Sequence, residues 1–250
     1  MPTLARGRRR RPTMVAAWAW PWLVLAGSAS AASLQVAPTS LQLTPRQNAE
    51  ALWVSNSGAA PVDVQARVFR WTQRDGKDAL EPTAELVVSP PMQSLAAGQQ
   101  QLIRVVRAQP DAPVEQLAYR VIVDEVPALD PDRRGMQFVL RYSLPVFIQP
   151  AGEHPLKPTL QARVLPGDDG QLLLEVHNSG NSYAQIADLA LGTLERPQVF
   201  QPGLVGYVLS GQTMRWPLEI TAARMVGSTL SAKINGESVP TPLSPAPPSR

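Results

Sequence analysis

The stretch Val62-Asp63-Val64-Gln65-Ala66-Arg67-Val68 places an apolar residue at every second position, with a polar residue between each pair. Successive side chains of a β-strand point to opposite faces of a sheet, so this alternation is typical of a strand buried on one face. The same pattern recurs before and after the stretch, at Leu41 and Leu43, Ala51 and Trp53, and Val121 and Val123. The sequence therefore predicts an all-β fold.

Turn signals divide the chain into short strands, and 26 prolines argue against long helices. The strands form two groups, from about residue 34 to 148 and from about 157 to 234, separated by the Pro/Gly-containing segment 149–155. We expect two immunoglobulin-like β-sandwich domains joined by a short hinge, at 32–150 and 151–239. The Pro/Ser-rich segment 240–250 is predicted to be a disordered tail.

Residues 1–31 have the three-part layout of a secretory signal peptide. A basic head with five arginines precedes an apolar run at 14–25 and a stretch of small residues at 26–32. The apolar run is about half the ~20 residues that a membrane-spanning helix needs. The sequence therefore predicts a periplasmic protein with no stable membrane insertion after cleavage, either within Ala29-Ser30-Ala31 or after Ala32.

Signal removal changes the charge balance. The whole chain carries 23 Lys and Arg and 20 Asp and Glu, a net charge of +3, and removing five signal arginines leaves 18 basic against 20 acidic residues. A nucleic-acid partner therefore loses its electrostatic support. The chain has no cysteine, which excludes disulfides and thiol chemistry.

The sequence carries no recognisable catalytic constellation. Its two histidines, His154 and His177, lack a second histidine at metal-ligand spacing, and no nucleophile elbow or phosphate-binding loop is present. We expect no enzymatic activity, no cofactor and no metal. Trp53, Phe69 and Trp71 lie on alternating strands, where core positions are a simpler interpretation than a carbohydrate-binding platform.

An ordered set of segments resembles the fimbrial (pilus) chaperones of the chaperone–usher pathway. Trp71-Thr72-Gln73 and Ser143-Leu144-Pro145-Val146 are similar to the archaic branch of that family. The full set is VAPT at 36–39, VSN at 54–56, FRWTQ at 69–73, LVVSPP at 86–91, GQQQLIRV at 98–105, YRVIVDEVP at 119–127, LRYSLPVF at 140–147 and NSGNSYAQI at 178–186.

The resemblance implies a chaperone that binds pilin subunits, lends them a β-strand and delivers them to an outer-membrane usher. The implied donor strand is the last strand of the first domain, whose large apolar side chains alternate on one face. These side chains are Met136, Phe138, Leu140, Tyr142 and Leu144. The alternative is that this face only covers the chain's own core.

The family also binds the terminal carboxylate of the subunit between its two domains. In the classical branch a basic pair does this, but the corresponding positions here are Ser40 and Pro145, and neither is a cation. A buried carboxylate needs charged or multiple donors. Arg120 is the first substitute and Arg104 and Arg141 are the others, although each could equally be a surface arginine. The family's interdomain ion pair is likewise unmatched, at Gln116 and Gln149.

A second function remains open from the sequence, namely a secreted immunoglobulin-like adhesion or ligand-binding module. Adhesion modules are more often tethered or repeated, and the sequence shows neither feature.

The signal peptide gives the first testable prediction. Mature protein recovered from the periplasm is expected to begin at Ala32 or within a residue or two of it, as measured by N-terminal sequencing. Periplasmic protein that retains Met1 would contradict the prediction.

Overall fold

The computed structural model describes residues 34–109, 111–127, 138–152, 155–167, 170–193, 195–225 and 227–243. These residues form strands joined by turns, with one short helix. In chain order they are β1 (Leu34–Ala37), β2 (Leu41–Leu43), β3 (Ala49–Asn56), β4 (Val62–Arg74), β5 (Lys77–Pro82), β6 (Leu86–Ser89), β7 (Met92–Leu95), β8 (Gln100–Arg107), β9 (Leu117–Val126), β10 (Arg141–Ile148), β11 (Leu160–Pro166), β12 (Leu172–Asn178), β13 (Ala184–Thr193), β14 (Arg196–Val208), β15 (Thr213–Leu218), α1 (Ala222–Met225), β16 (Thr229–Ile234) and β17 (Thr241–Pro242).

The first ten strands build a β-sandwich. One sheet has the strand order β1-β3-β8-β6, and the other has the order β2-β10-β9-β4-β5, with β7 paired to β4. The inner faces of both sheets supply one hydrophobic core, which includes Leu52, Ile103, Val121 and Val146. Strands such as β3 and β8 therefore bury alternate residues in the way that the alternating pattern predicts.

The remaining strands build a second, smaller sandwich. Its sheets have the orders β11-β12-β15 and β14-β13-β16-β17, and they enclose a separate core that includes Leu174, Ile186 and Leu218. Trp216 of β15 packs so closely against β14 that a side chain at Gly206 would lie 2.7 Å from the indole nitrogen. The prediction of an all-β protein with two immunoglobulin-like β-sandwiches is confirmed.

Strand β4 buries both of its faces, in different places along its length. Val62, Val64 and Ala66 face the first core, whereas Trp71 and Gln73, of the opposite parity, are buried on the outer side of the sheet. The thirteen-residue length of β4 lets it extend beyond its own sandwich. This outer burial brings the second sandwich onto the sheet that contains β10.

Two of the aromatic predictions need correction. Trp53 is 42% exposed, so its predicted core position is wrong: its neighbours Leu52 and Val54 face the core instead. The apolar residues at 51–54 are contiguous, and the alternation was assigned to the wrong parity. Phe69 is only half-buried, with the Arg67 guanidinium 5.8 Å from its ring centre.

The connection and the tail compare differently with the predicted domain boundaries. Strand β10 ends at Ile148 and β11 begins at Leu160. The domain boundary predicted at residue 150 lies between these two strands and stays a prediction. Residues 241–243 do not belong to a disordered tail, because Thr241–Pro242 pairs with β16 and Leu243 is buried. Residues 1–31 and 244–250 lie outside the described residues. Within the described ranges, no helix is long and apolar enough to cross a membrane.

The opposite orientations of two adjacent residues give a stability prediction. Leu52→Ala should lower the free energy of unfolding by about 2–5 kcal/mol, because Leu52 is fully buried and its loss leaves a cavity. Trp53→Ser should lower it by about 1 kcal/mol or less, because the indole lies on the outer face. Urea unfolding of both variants measures the difference, and equal losses would contradict the assigned faces.

Candidate functional site

Strand β10 has a free edge along the first half of its length. Its whole length pairs with β9, but on its other side β2 pairs only with Val146, Phe147 and Ile148. Among the described residues, no strand occupies this side of the segment from Arg141 to Pro145. Backbone hydrogen-bonding groups on such an edge are open to an additional strand.

The predicted donor residues differ widely in exposure. Phe138 is 81% exposed, whereas Leu140 and Tyr142 are partly buried against the first core and Leu144 is 5% exposed. The Tyr142 hydroxyl donates to the Leu34 carbonyl oxygen of β1 at 2.6 Å. Met136 lies outside the described residues. Three of these five side chains thus contact the core of their own sandwich, and Phe138 projects into solvent.

Arg120 lies on β9 directly opposite Pro145 of β10. Its guanidinium stacks over the Trp71 ring at 3.7 Å from the ring centre and lies 5.1 Å from the centre of the Tyr207 ring. It donates to the Ser143 carbonyl oxygen at 3.4 Å. Burial lowers the pKa of this guanidinium from its ordinary value, and the Asp78 carboxylate acts in the opposite direction. Within the described part of the chain, Arg120 forms no ion pair.

The other two arginine candidates lie in different surroundings. Arg104 is exposed on β8, in the sheet that does not contain β10. Arg141 starts β10, but its side chain binds the Asp124 carboxylate at 2.5 Å, and Asp124 also binds Arg67. Burial raises the pKa of Asp124, but the hydrogen bonds and charges of the two arginines together outweigh it and hold the pKa below its ordinary value. Of the three candidates, Arg120 alone lies among the aromatic rings between the sandwiches.

An aromatic cluster joins the two sandwiches. Trp71 and Phe147, from the outer face of the β10 sheet, pack against Tyr207 of β14, Leu209 just after that strand, and Tyr183. Phe147 and Tyr183 stack with their ring centres 3.7 Å apart and their planes at 5°, and Trp71 meets Tyr207 edge-on at 5.4 Å. Large buried rings contribute both area and directional contacts, so this cluster is a third core between the sandwiches.

The amide of Gln73 bridges the sandwiches beside this cluster. Its nitrogen donates to the Tyr207 carbonyl oxygen at 2.8 Å, and its oxygen accepts from the Leu209 backbone N–H at 2.9 Å. The same nitrogen donates to Asp78 Oδ1 at 2.9 Å, and this oxygen also accepts from the indole nitrogen of Trp71 at 2.9 Å. Because Gln73 is only 3% exposed, its loss would leave buried backbone groups unpaired.

Comparison with known proteins assigns the chain. The family model for the pili and flagellar-assembly chaperone, PapD N-terminal domain, matches residues 33–153. A solved structure of the CsuC–CsuE chaperone–tip adhesion subunit pre-assembly complex, from archaic chaperone–usher Csu pili of Acinetobacter baumannii, matches with 26% identity and a TM-score of 0.68. That match covers 84% of this chain and 97% of the other.

The chain belongs to the family of pilus-assembly chaperones. The similarity to the Csu system places it with the archaic branch. No curated protein sequence matches the chain significantly.

Two more distant structures share the fold of this pilus-assembly chaperone. The Salmonella enterica SafA pilin–SafB chaperone complex matches with 20% identity and a TM-score of 0.55, covering 84% of this chain and 95% of that one. The Pseudomonas aeruginosa CupB2 chaperone matches with 16% identity and a TM-score of 0.53, covering 83% and 96%.

Neutral side chains link the two sandwiches of this chaperone. The Gln116 side-chain oxygen accepts from the Tyr183 backbone N–H at 2.8 Å, and Gln42 donates to the Tyr183 hydroxyl at 3.0 Å. The turn after β4 adds a third contact, since the Gly76 carbonyl oxygen accepts from the Arg215 backbone N–H at 3.4 Å. The Gln149 backbone N–H donates a hydrogen bond to the Leu43 carbonyl oxygen at 2.9 Å.

Several interface residues of the chaperone escaped the sequence analysis. Gln73 and Tyr183 belong to quoted family segments, but their roles depend on contacts between distant parts of the chain, which periodicity does not reveal. Nothing in the sequence pattern around Asp78 and Tyr207 indicated a role in the interface. His154 lies outside the described residues, and His177 Nδ1 lies 3.0 Å from the Thr213 hydroxyl. In the described ranges, no group of three His, Cys, Asp or Glu side chains could hold a metal ion.

Proposed function

We propose that this protein is a non-enzymatic periplasmic chaperone that captures pilin subunits by donating the free edge of β10 and delivers them to an outer-membrane usher. The observation that carries the proposal is the unpaired edge from Arg141 to Pro145, preceded by the exposed Phe138, in a chain of the pilus-assembly chaperone family. Chaperone–pilin donor-strand complementation is an established example of β-strand addition.

The backbone of β10 supplies the affinity of this mode of binding. A pilin that lacks one strand of its sandwich exposes unpaired backbone groups and apolar core, both of which favour aggregation. The free edge of β10 offers N–H and C=O groups in the required periodicity, and alternate side chains offer apolar surface. The CsuC–CsuE structure is a complex of a chaperone with a tip adhesion subunit, and the SafA–SafB structure is a complex of a pilin with its chaperone, which supports a pilin as the client.

The interface between the two sandwiches supplies a cation, Arg120, for the terminal carboxylate of the client. Arg120 stacks on rings from both sandwiches, lies opposite Pro145 at the end of the free edge, and lacks a carboxylate partner among the described residues. Ion pairs with a guanidinium strengthen as water is excluded, so a partly buried arginine suits this role. We therefore keep Arg120 as the anchor, ahead of Arg104 and Arg141.

The anchor gives a quantitative prediction. Arg120→Ala should weaken pilin capture by about 10- to 150-fold, since a charge-assisted hydrogen bond contributes roughly 1.5–3 kcal/mol. Capture is measured by co-purification from periplasm and by titration of the purified pair, with the thermal transition as a check on folding. Arg104→Ala, in the other sheet, is the matched variant and should capture normally. Normal capture by Arg120→Ala would move the anchor to Arg104 or Arg141.

The donor strand gives the sharper test of function. Phe138→Asp should abolish a stable complex with pilin, because it removes roughly 1.5–3 kcal/mol of aromatic burial and adds a desolvation cost of several kcal/mol for an unpaired carboxylate. Phe138 is 81% exposed, so this change should leave the fold intact. The readout is the amount of subunit that co-purifies with the chaperone, identified by mass spectrometry.

Val139→Thr is the control for the donor-strand variant. Val139 neighbours Phe138 and is 49% exposed, but it has the opposite parity along the chain. Its change should affect capture much less. A folded Phe138→Asp variant that captures pilin like the parent would refute the donor assignment, and a captured ligand that is not a pilin would favour the adhesion or ligand-binding alternative.

A further inference from the structure

The stacking of Arg120 depends on rings from both sandwiches. Trp71 belongs to β4 of the first sandwich and Tyr207 to β14 of the second, and the guanidinium lies within 3.7 Å and 5.1 Å of their respective ring centres. Neither sandwich alone provides this surface. The position of Arg120 therefore depends on whatever fixes the two rings relative to each other.

Gln73 and Asp78 make the hydrogen bonds that fix both rings. Asp78 Oδ1 accepts from the Trp71 indole N–H, and it also accepts from the Gln73 amide. The Gln73 amide in turn binds the backbone of Tyr207 and Leu209 on the opposite sandwich. A continuous chain of hydrogen bonds thus runs from the Trp71 ring to the strand that carries the Tyr207 ring.

We propose that Gln73 and Asp78 are positioning residues, which fix Trp71 and Tyr207 so that Arg120 presents its charge to the client carboxylate. The inference rests on the proposed function, in which Arg120 is the anchor. Against the effect of burial, the Asp78 carboxylate raises the pKa of Arg120, but it forms no ion pair with the guanidinium. Its role is to accept hydrogen bonds, and an amide oxygen at the same place can accept the same two.

A set of four variants separates geometry from charge. Gln73→Met keeps the length of the side chain but removes both bonds to the second sandwich, and Asp78→Ala removes the shared acceptor. Asp78→Asn retains an acceptor oxygen and removes the charge, so it should rescue. Gln100→Met is the matched control, because Gln100 is an exposed glutamine on β8, in the other sheet.

The first measurement needs no client. The Nε–H resonance of Arg120, assigned by its absence in Arg120→Ala, should be shifted upfield in the parent by the ring current of Trp71. The shift should be lost in Gln73→Met and Asp78→Ala and retained in Asp78→Asn and Gln100→Met. A folded Gln73→Met or Asp78→Ala variant with the parent shift would overturn the proposal. Asp78 is exposed, so Asp78→Ala is expected to fold. It therefore still tests the proposal if Gln73→Met fails to fold.

The second measurement reports on the anchor itself. The probe is a synthetic peptide of the C-terminal strand of the co-purified subunit, made with a free carboxylate and with a terminal amide. The parent should prefer the carboxylate by about tenfold or more. Gln73→Met and Asp78→Ala should lose most of this preference, and Asp78→Asn should keep it. The double variant Gln73→Met/Arg120→Ala should show the same preference as Arg120→Ala alone.

The outcomes distinguish the role of Arg120 as the anchor from the positioning role of Gln73 and Asp78. If Arg120→Ala discriminates between the peptides as the parent does, the anchor assignment itself fails. If Arg120→Ala loses the preference while Gln73→Met and Asp78→Ala keep it, the anchor stands and the positioning role is refuted. If Asp78→Asn behaves like Asp78→Ala, the charge of Asp78 matters, and its role as a neutral acceptor is wrong.

Discussion

The packing of Trp71 and Phe147 against Tyr207 and Tyr183 is the contact on which the rest of the site depends. It uses the outer face of a sheet whose inner face is already filled by the first core. Strand β10 shows the division most clearly, because Val146 and Ile148 enter the first core while Phe147 between them enters the interface. The sheet that offers the free edge is thus held on both faces, and its edge is the part left open.

This double packing also explains how an arginine is kept partly buried without an ion pair among the described residues. Removing a cation from water is costly, and ring faces with their negative quadrupole offset only part of that cost. Arg120 has a stacked ring from each sandwich and a long bond to Ser143, so some donor capacity remains unused. An arriving carboxylate would meet a guanidinium that is already ordered and partly dehydrated, which reduces the cost of binding.

The sequence predicted what depends on local periodicity, and it failed where distant segments meet. Alternation identified the strands that bury every second residue in a core, as β3 and β8 do. It misplaced Trp53 because four consecutive apolar residues allow either parity. Family segments pointed to Arg120, but nothing local showed that Gln73 pairs with the backbone of Tyr207, 134 positions later. The exposure of Phe138 was equally hidden, because every apolar residue in an alternating run resembles a core residue.

The free edge and the cation coincide for a reason visible in the strand itself. From Val146 onward the edge of β10 is occupied by β2, and Pro145 has no N–H to donate. An added strand can therefore pair with β10 only as far as Pro145. Register places Arg120 opposite that residue, so the end of the available backbone and the guanidinium lie at the same level. Strand β2 and Pro145 together thus set where an added strand must stop, and the guanidinium of the neighbouring strand lies beside that point.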